Sequence, residues 1–79
     1  MNRVLLRQSI KRELGEVLKE IMHGKGMSAL QFAEFLEVKP QRLDNWLNYK
    51  TLPDTKTIIL LCQKLEIKLS DFFKRLDSL

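Results

Sequence analysis

The sequence predicts an all-α fold of five short helices. Apolar residues recur three and four positions apart along most of the chain, which is the period of an amphipathic helix, and no segment shows the alternation of a half-buried strand. Breaks at "HGKG", "EVKP" and "TLPD" separate the periodic segments. With 79 residues, of which 44% are hydrophobic and 30% charged, the chain is expected to form one small domain over residues 1–79.

The first helix is expected within residues 1–25, together with an N-terminal arm. Its apolar positions follow the spacing i, i+3, i+4, i+7 and i+8 of a helix with one buried face, and they are Leu14, Val17, Leu18, Ile21 and Met22. The helix must stop near "HGKG", because glycine favours a helix end.

Residues 28–48 are predicted to hold two short helices joined by a tight turn. Ser28 and Gln31 form a capping box that opens the second helix, whose inward residues are Phe32, Ala33 and Leu36. Pro40 begins the third helix, because its missing N–H and fixed φ are harmless at the first helical position. Two helices joined by the three-residue turn "EVK" make a helix-turn-helix unit, in which the second helix enters a DNA groove.

Two further helices are predicted over residues 54–79. Asp54 is the expected N-cap of the fourth helix, whose inward residues are Ile58, Leu61, Cys62 and Leu65. The last helix begins at about Leu69 and carries Phe72, Phe73 and Leu76.

The outward face of the third helix carries an unusual set of polar residues. Leu43, Trp46 and Leu47 form its buried stripe, which leaves Gln41, Asn45 and Asn48 together on the opposite side. Asparagine is a weak helix former, and a carboxamide matches the N6 and N7 edge of adenine in the major groove. Lys39 and Arg42 lie where they could hold backbone phosphates. The alternative interpretation is an ordinary solvated helix surface.

Residues 26–73 resemble the Cro- and repressor-type (XRE-like) helix-turn-helix family. The family pattern has a Leu-Ser-Gln opening, a Leu-Ala pair, a Leu-Gly-Val turn, a buried Ile and Trp or Leu, a loop Gly, a Pro and a Leu-rich fourth helix. The residues that match it are Met27, Ser28, Phe32, Ala33, Leu36, Val38, Leu43, Trp46, Pro53, Ile58, Leu61, Leu65, Ile67, Leu69 and Phe72. The resemblance implies a five-helix, lambda-repressor-like domain that binds double-stranded DNA in the major groove.

The resemblance also implies which residues contact DNA. Side chains that contact bases in the family correspond here to Pro40, Gln41 and Asn45. Positions where phosphate contacts are common correspond to Arg42, Asn48 and Lys50, which join Lys39 as expected phosphate contacts.

The sequence departs from the family pattern at three places. The Gln that opens the second helix and holds a phosphate in the family is Ala29 here, and the Gly of the turn is Glu37. The usual Glu before the loop is Leu47 and the loop Gly is Tyr49. Because the family's Arg partner of that Glu corresponds to Met22, the sequence predicts that an apolar contact between Met22 and Leu47 replaces an ion pair.

Composition excludes several other classes of function. One histidine, His23, and one cysteine, Cys62, cannot supply a zinc site or a Cys-His catalytic set, so the chain is expected to be no enzyme and to need no metal or cofactor. No apolar run approaches a membrane span, and the chain is expected to be cytoplasmic. The net charge of +4 suits an anionic partner, and residues 1–25 carry six basic and three acidic groups.

The sequence therefore predicts a sequence-specific DNA-binding regulator of transcription, a repressor of the phage, plasmid or mobile-element type. The alternative is a protein-interaction module with the same fold, such as an antitoxin or anti-repressor, with a protein as its partner. A homodimer is expected because the apolar residues exceed what one core requires. The predicted interface consists of Ile59, Leu60, Phe73, Leu76 and Leu79.

Overall fold

Five α-helices follow one another along the chain, as the sequence predicts. The computed structural model describes residues 3–77, with side chains described for residues 10–76. The helices are α1 (Arg3–Gly24), α2 (Ala29–Leu36), α3 (Pro40–Leu47), α4 (Thr55–Leu65) and α5 (Leu69–Asp77). No strand occurs in the described part of the chain, and the all-α prediction is confirmed.

The predicted helix starts are formed by the residues that the sequence indicates. The Ser28 hydroxyl accepts the Gln31 backbone N–H at 3.2 Å, and the Gln31 side chain accepts the Ser28 N–H at 2.9 Å, which completes the capping box. Pro40 occupies the first position of α3. Asp54 caps α4 by accepting the Thr57 N–H at 2.8 Å. Hydrogen bonds from the Thr57 side chain and then from this backbone N–H lower the pKa of the Asp54 carboxyl.

The turn between α2 and α3 requires a left-handed residue, and this residue is not glycine. Glu37 has φ 59° and ψ 41°, and its N–H closes the end of α2. A left-handed conformation is unfavourable for a residue with a Cβ atom. The Lys64 ammonium group of α4 lies 2.5 Å from the Glu37 carboxylate, which ties this turn to the fourth helix.

Side chains from all five helices form one core. Its buried side chains include nearly all the predicted inward residues, and they are Leu14, Val17, Leu18, Met22, Phe32, Ala33, Leu36, Leu43, Trp46, Leu47, Leu61, Cys62, Leu65, Phe72 and Leu76. Ile21 and Ile58 pack against this core while remaining partly exposed. Burial raises the pKa of the Cys62 thiol, which keeps it protonated.

Leu76 does not belong to the accessible surface that the predicted dimer interface requires. Its side chain is only 9% exposed and belongs to the core of its own chain, because α5 packs against α1 and α4 through this face. Leu79 lies outside the described residues.

Met22 and Leu47 are both buried in the single core cluster. No polar or charged side chain is buried in the part of the chain whose side chains are described. The apolar surroundings of Met22 and Leu47 therefore agree with the predicted replacement of the family's ion pair by apolar residues. The direct contact between the two side chains stays a prediction.

Candidate nucleic-acid interface

The third helix, α3, is the candidate DNA-recognition helix. Its apolar face packs into the core, and its polar face points outward. Leu43, Trp46 and Leu47 are buried, and α3 packs against both α1 and α2. The other residues of α3 and its C-cap residue form an outward surface in which only Asn45 is half-buried and the rest are exposed: Pro40, Gln41, Arg42, Asp44, Asn45 and Asn48. We call this set the α3 polar face. The structure thus brings together the predicted base contacts, Pro40, Gln41 and Asn45.

Gln41 and Asn45 are joined to each other by a hydrogen bond. The Gln41 Nε2 donates to Asn45 Oδ1 at 3.3 Å, across one turn of the helix. Each Nε2 or Nδ2 group carries two hydrogens, so the pair keeps outward donors on both residues and the Gln41 Oε1 acceptor. Such a pair can present donors and an acceptor to a base edge from a fixed arrangement.

Asn48 has a different role in this structure from the phosphate contact expected of it. Its Nδ2 donates to the Asp44 backbone oxygen and to Asp44 Oδ1, both at 2.9 Å. These two bonds use both amide hydrogens, and the same Asp44 carbonyl also accepts the Asn48 backbone N–H at 3.0 Å. A phosphate could be bound by this amide only if one of them broke, so the Asn48 contact stays a prediction that its present geometry does not favour.

Three exposed basic residues border the α3 polar face. Arg42 places its guanidinium 5.3 Å from the centre of the Trp46 ring, a cation–π contact that orients the side chain along the helix. Lys39 is the N-cap residue of α3. Lys50 lies in the loop after α3, where its N–H donates to the Asn45 carbonyl at 2.8 Å. The three basic residues among the four predicted phosphate contacts are therefore all exposed.

The loop after α3 is fixed by a contact that the sequence interpretation did not include. Tyr49 has a left-handed backbone with φ 62°, and its ring lies on α1 at Gly15. A Cβ atom on Gly15 would come within 2.6 Å of the Tyr49 ring and 2.8 Å of the Trp46 carbonyl oxygen. The glycine inside a predicted helix was the available signal, since such a glycine often marks a close approach.

The hydroxyl of Tyr49 is held by two charged residues of α1. Lys19 Nζ donates to it at 2.9 Å and lies 4.7 Å from the ring centre. The hydroxyl in turn donates to Glu16 Oε1. The Tyr49 hydrogen bond raises the pKa of Lys19. Together with Gly15, these contacts fix the C-terminal end of α3 and the loop that carries Lys50 against α1.

A shallow cleft separates the N-terminal ends of α2 and α3. It is lined by Ala29, Leu30, Pro40, Gln41 and Asp44. Leu30 is 66% exposed, the largest exposed fraction among the described large hydrophobic residues. The cleft opens where the family places its phosphate-binding Gln, which is Ala29 here.

Other exposed apolar residues lie on α4 and α5. Ile59 is 40% exposed, Leu60 48% and Phe73 44%. Phe73 also contacts the buried Phe72 ring edge-to-face, with 6.2 Å between ring centres. Three of the five predicted interface residues are therefore accessible.

No group of three or more His, Cys, Asp or Glu residues in the described chain is arranged to hold a metal ion. Among the same residues, none of the helices has the length and apolar character needed to cross a membrane.

Comparisons with known proteins agree with this geometry. A family model described as helix-turn-helix matches residues 18–72. Among solved structures, a mutant of the restriction-modification controller protein C.Esp1396I has a TM-score of 0.75 at 20% sequence identity, covering 87% of each chain. The clp gene regulator ClgR from C. glutamicum has a TM-score of 0.73 at 19% identity, covering 87% of this chain and 90% of its own. No curated protein matches the chain.

The fold and the exposed polar face of its third helix define a helix-turn-helix protein of the DNA-binding class. The chain belongs to the XRE-type helix-turn-helix family of DNA-binding transcriptional regulators, which confirms the resemblance seen in the sequence. The two solved structures share its fold.

Proposed function

We propose that this protein binds a specific DNA sequence through the α3 polar face and thereby represses transcription. The observation that carries the proposal is the pairing of Gln41 with Asn45 on the exposed side of a helix whose other side is anchored in the core. Carboxamides are suited to adenine, because they offer a donor and an acceptor together. α3 enters the major groove in this proposal, with Pro40 at its leading end.

The phosphate contacts come from the basic residues around this face. Lys39 begins α3, Arg42 lies along it, and Lys50 follows it in the loop fixed by Tyr49. Phosphate contacts position a protein on DNA and carry no sequence information themselves. The division of roles is therefore base readout by Gln41 and Asn45 and positioning by the cations.

We propose that the protein acts as a homodimer on a partly palindromic site. One helix-turn-helix reads only a few base pairs, and pairing two copies reads two half-sites about one helical turn apart. The exposed residues Ile59, Leu60 and Phe73 form the proposed interface. Burying a large apolar side chain contributes about 1.5–3 kcal/mol before the costs of association.

Repression in this proposal is steric, because a bound dimer would occupy a site that RNA polymerase needs. A small domain without a catalytic set suits this mechanism, and we place it in the cytoplasm, where bacterial and mobile-element DNA is accessible. The names of the two solved relatives, a controller protein and a gene regulator, support control of gene expression. A regulator of the phage, plasmid or mobile-element type is our specific proposal.

A second candidate is a protein-interaction module, such as an antitoxin or anti-repressor. The specific observations in its favour are Ala29 in place of the phosphate-binding Gln and the exposed Leu30 beside it. An apolar residue near the DNA-facing end of α2 is more typical of a protein contact than of a phosphate contact.

Selection of bound sites from random duplex DNA separates the two candidates. Purified protein is incubated with random duplexes, and the bound fraction is sequenced after several rounds. Enrichment of a palindrome with half-sites about ten base pairs apart, centre to centre, is the expected result. Recovery of sequences without a shared motif would contradict the proposal and favour the protein-interaction module.

A further inference from the structure

One residue of the α3 polar face has a charge that opposes DNA binding. Asp44 is exposed, and no Lys or Arg of the described chain forms an ion pair with it. A carboxylate that approaches the phosphate backbone is repelled, so its presence on this face lowers affinity unless it meets a hydrogen-bond donor. The donors that DNA offers in the major groove are on base edges.

The Asp44 carboxylate is held in a defined orientation. Asn48 Nδ2 donates to its Oδ1 at 2.9 Å and to its backbone oxygen at the same distance. The second carboxylate oxygen, Oδ2, has no such partner among the described residues. Asp44 also lines the cleft between α2 and α3, together with Gln41, one of the proposed base contacts.

The chemistry of the major groove then selects the partner of this carboxylate. An ionised carboxylate can only accept hydrogen bonds. Guanine presents two acceptors and thymine presents an acceptor with its methyl group, so both are disfavoured. Adenine offers its N6 donor beside the N7 acceptor, whereas cytosine offers the N4 donor beside its apolar C5 edge.

The walls of the cleft favour cytosine over adenine. Ala29, Leu30 and Pro40 make one side of the cleft apolar, and Leu30 is 66% exposed. An apolar wall beside an acceptor matches a C5–H edge beside an N4 donor, and the amide donor that lines the cleft, Gln41, is bonded to Asn45 and assigned to the adenine. We propose that Asp44 is a specificity-determining residue that accepts from the N4 amino group of a cytosine, with Leu30 against the C5 edge.

This inference rests on the proposed DNA binding, and it assigns a second base to each half-site besides the adenine suited to Gln41 and Asn45. It also explains why an exposed leucine lies at the DNA-facing end of α2. The same cleft was the main support for a protein-interaction module.

The test measures the affinity of the wild type, Asp44→Asn and Glu34→Gln for the selected site and for duplexes carrying each alternative base pair at each position. Glu34→Gln is the matched control, because Glu34 is an exposed carboxylate on α2 that does not line the cleft. Both variants remove one negative charge, so both should raise affinity for random DNA similarly. Asn can still accept from Asn48, and thermal unfolding checks that the fold is unchanged.

The wild type is expected to prefer cytosine at one position of each half-site by about tenfold or more over guanine and thymine, and to prefer it over adenine as well. A preference for adenine at that position overturns the inference. In Asp44→Asn the preference for cytosine should fall to within about threefold, while Glu34→Gln keeps it. A preference pattern of Asp44→Asn that equals that of the wild type overturns the inference and leaves DNA binding intact. A wild type that selects no site overturns the proposed function, and this inference with it.

Discussion

Single side chains of the α3 polar face are ordered by contacts within the chain before any DNA is bound. Gln41 is bonded to Asn45, and Asn48 is bonded to Asp44, each across one turn of the helix. Arg42 lies over the Trp46 ring. Side chains that are already ordered lose less conformational entropy on binding, so the arrangement favours readout of a defined sequence.

Removing either member of the carboxamide pair should weaken sequence readout. Gln41→Ala or Asn45→Ala is expected to cost about 1–3 kcal/mol on the selected site and much less on random DNA, because only base contacts distinguish the two. Fluorescence anisotropy titrations on both kinds of duplex measure the difference. Gln63→Ala, which removes an exposed carboxamide from α4, is the control and should change neither. Equal losses on selected and random DNA would remove the pair from base readout.

The positions of most single side chains, in the core or on the surface, could be predicted from the sequence, with two exceptions. Helical phase correctly placed Trp46 in the core and Gln41 on the surface, because phase depends on the helix alone. The sequence predicts Leu76 at a dimer interface, but its side chain is buried in the core, because α5 packs on α1 through this face. The bond between Asn48 and Asp44 depends on rotamers that spacing does not determine.

Helices and turns show the same division between local and tertiary information. The starts of α2, α3 and α4 depend on neighbouring residues, and the capping box, Pro40 and Asp54 indicated all three. The contact of Tyr49 with Gly15 joins residues far apart in sequence, and neither helical periodicity nor turn chemistry predicts it. This contact matters for the site because it fixes the loop that follows α3.

Gly15 should be intolerant of a side chain. Gly→Ala inside a helix usually stabilises by about 1 kcal/mol, but Gly15→Ala is expected to lower the free energy of unfolding by about 1–3 kcal/mol, since its Cβ would overlap Tyr49 and the Trp46 carbonyl. Gly24→Ala is the matched control in the same helix, with nothing within 4 Å of the new Cβ. Urea unfolding compares the two variants. A Gly15→Ala protein as stable as Gly24→Ala would show that Tyr49 does not occupy this position.

The cap of α4 should make part of the stability depend on pH. Because the folded state lowers the pKa of Asp54, its contribution is present above the ordinary carboxyl pKa of about 3.9 and is lost as pH falls through the lower folded value. The difference in the free energy of unfolding between wild type and Asp54→Asn should therefore shrink between about pH 5 and about pH 3. Urea unfolding across this range measures it. A difference that stays constant would mean that the ionised carboxylate is not the capping group.

The dimensions of the whole molecule favour DNA recognition by a dimer. The described chain measures 37 × 25 × 22 Å, and an eight-residue helix such as α3 is about 12 Å long. A helix of this length contacts only a few base pairs, so a second copy is needed to reach the specificity of a regulator. The exposed apolar residues of α4 and α5 are available for this pairing, while the α3 polar face remains free for DNA.

Dimerisation should depend on Phe73 and should not depend on exposed apolar residues outside α4 and α5. Phe73→Asp is expected to shift the protein from dimer to monomer at micromolar concentration, because it places a charge in the proposed interface. Leu30→Asp makes the same kind of change at the 66% exposed Leu30 near α3 and should leave the dimer intact. Sedimentation velocity measures both. A wild type that stays monomeric, with and without the selected DNA, would contradict the dimer.

The central claim, that this small basic domain reads a DNA sequence through α3, is tested most directly by one ratio. The dissociation constant for the selected duplex is compared with that for a scrambled duplex of the same composition, at one near-physiological salt concentration. A ratio of about 10³ or more in favour of the selected duplex is expected. Equal dissociation constants for the two duplexes would contradict it, because the binding would then come from phosphate contacts alone.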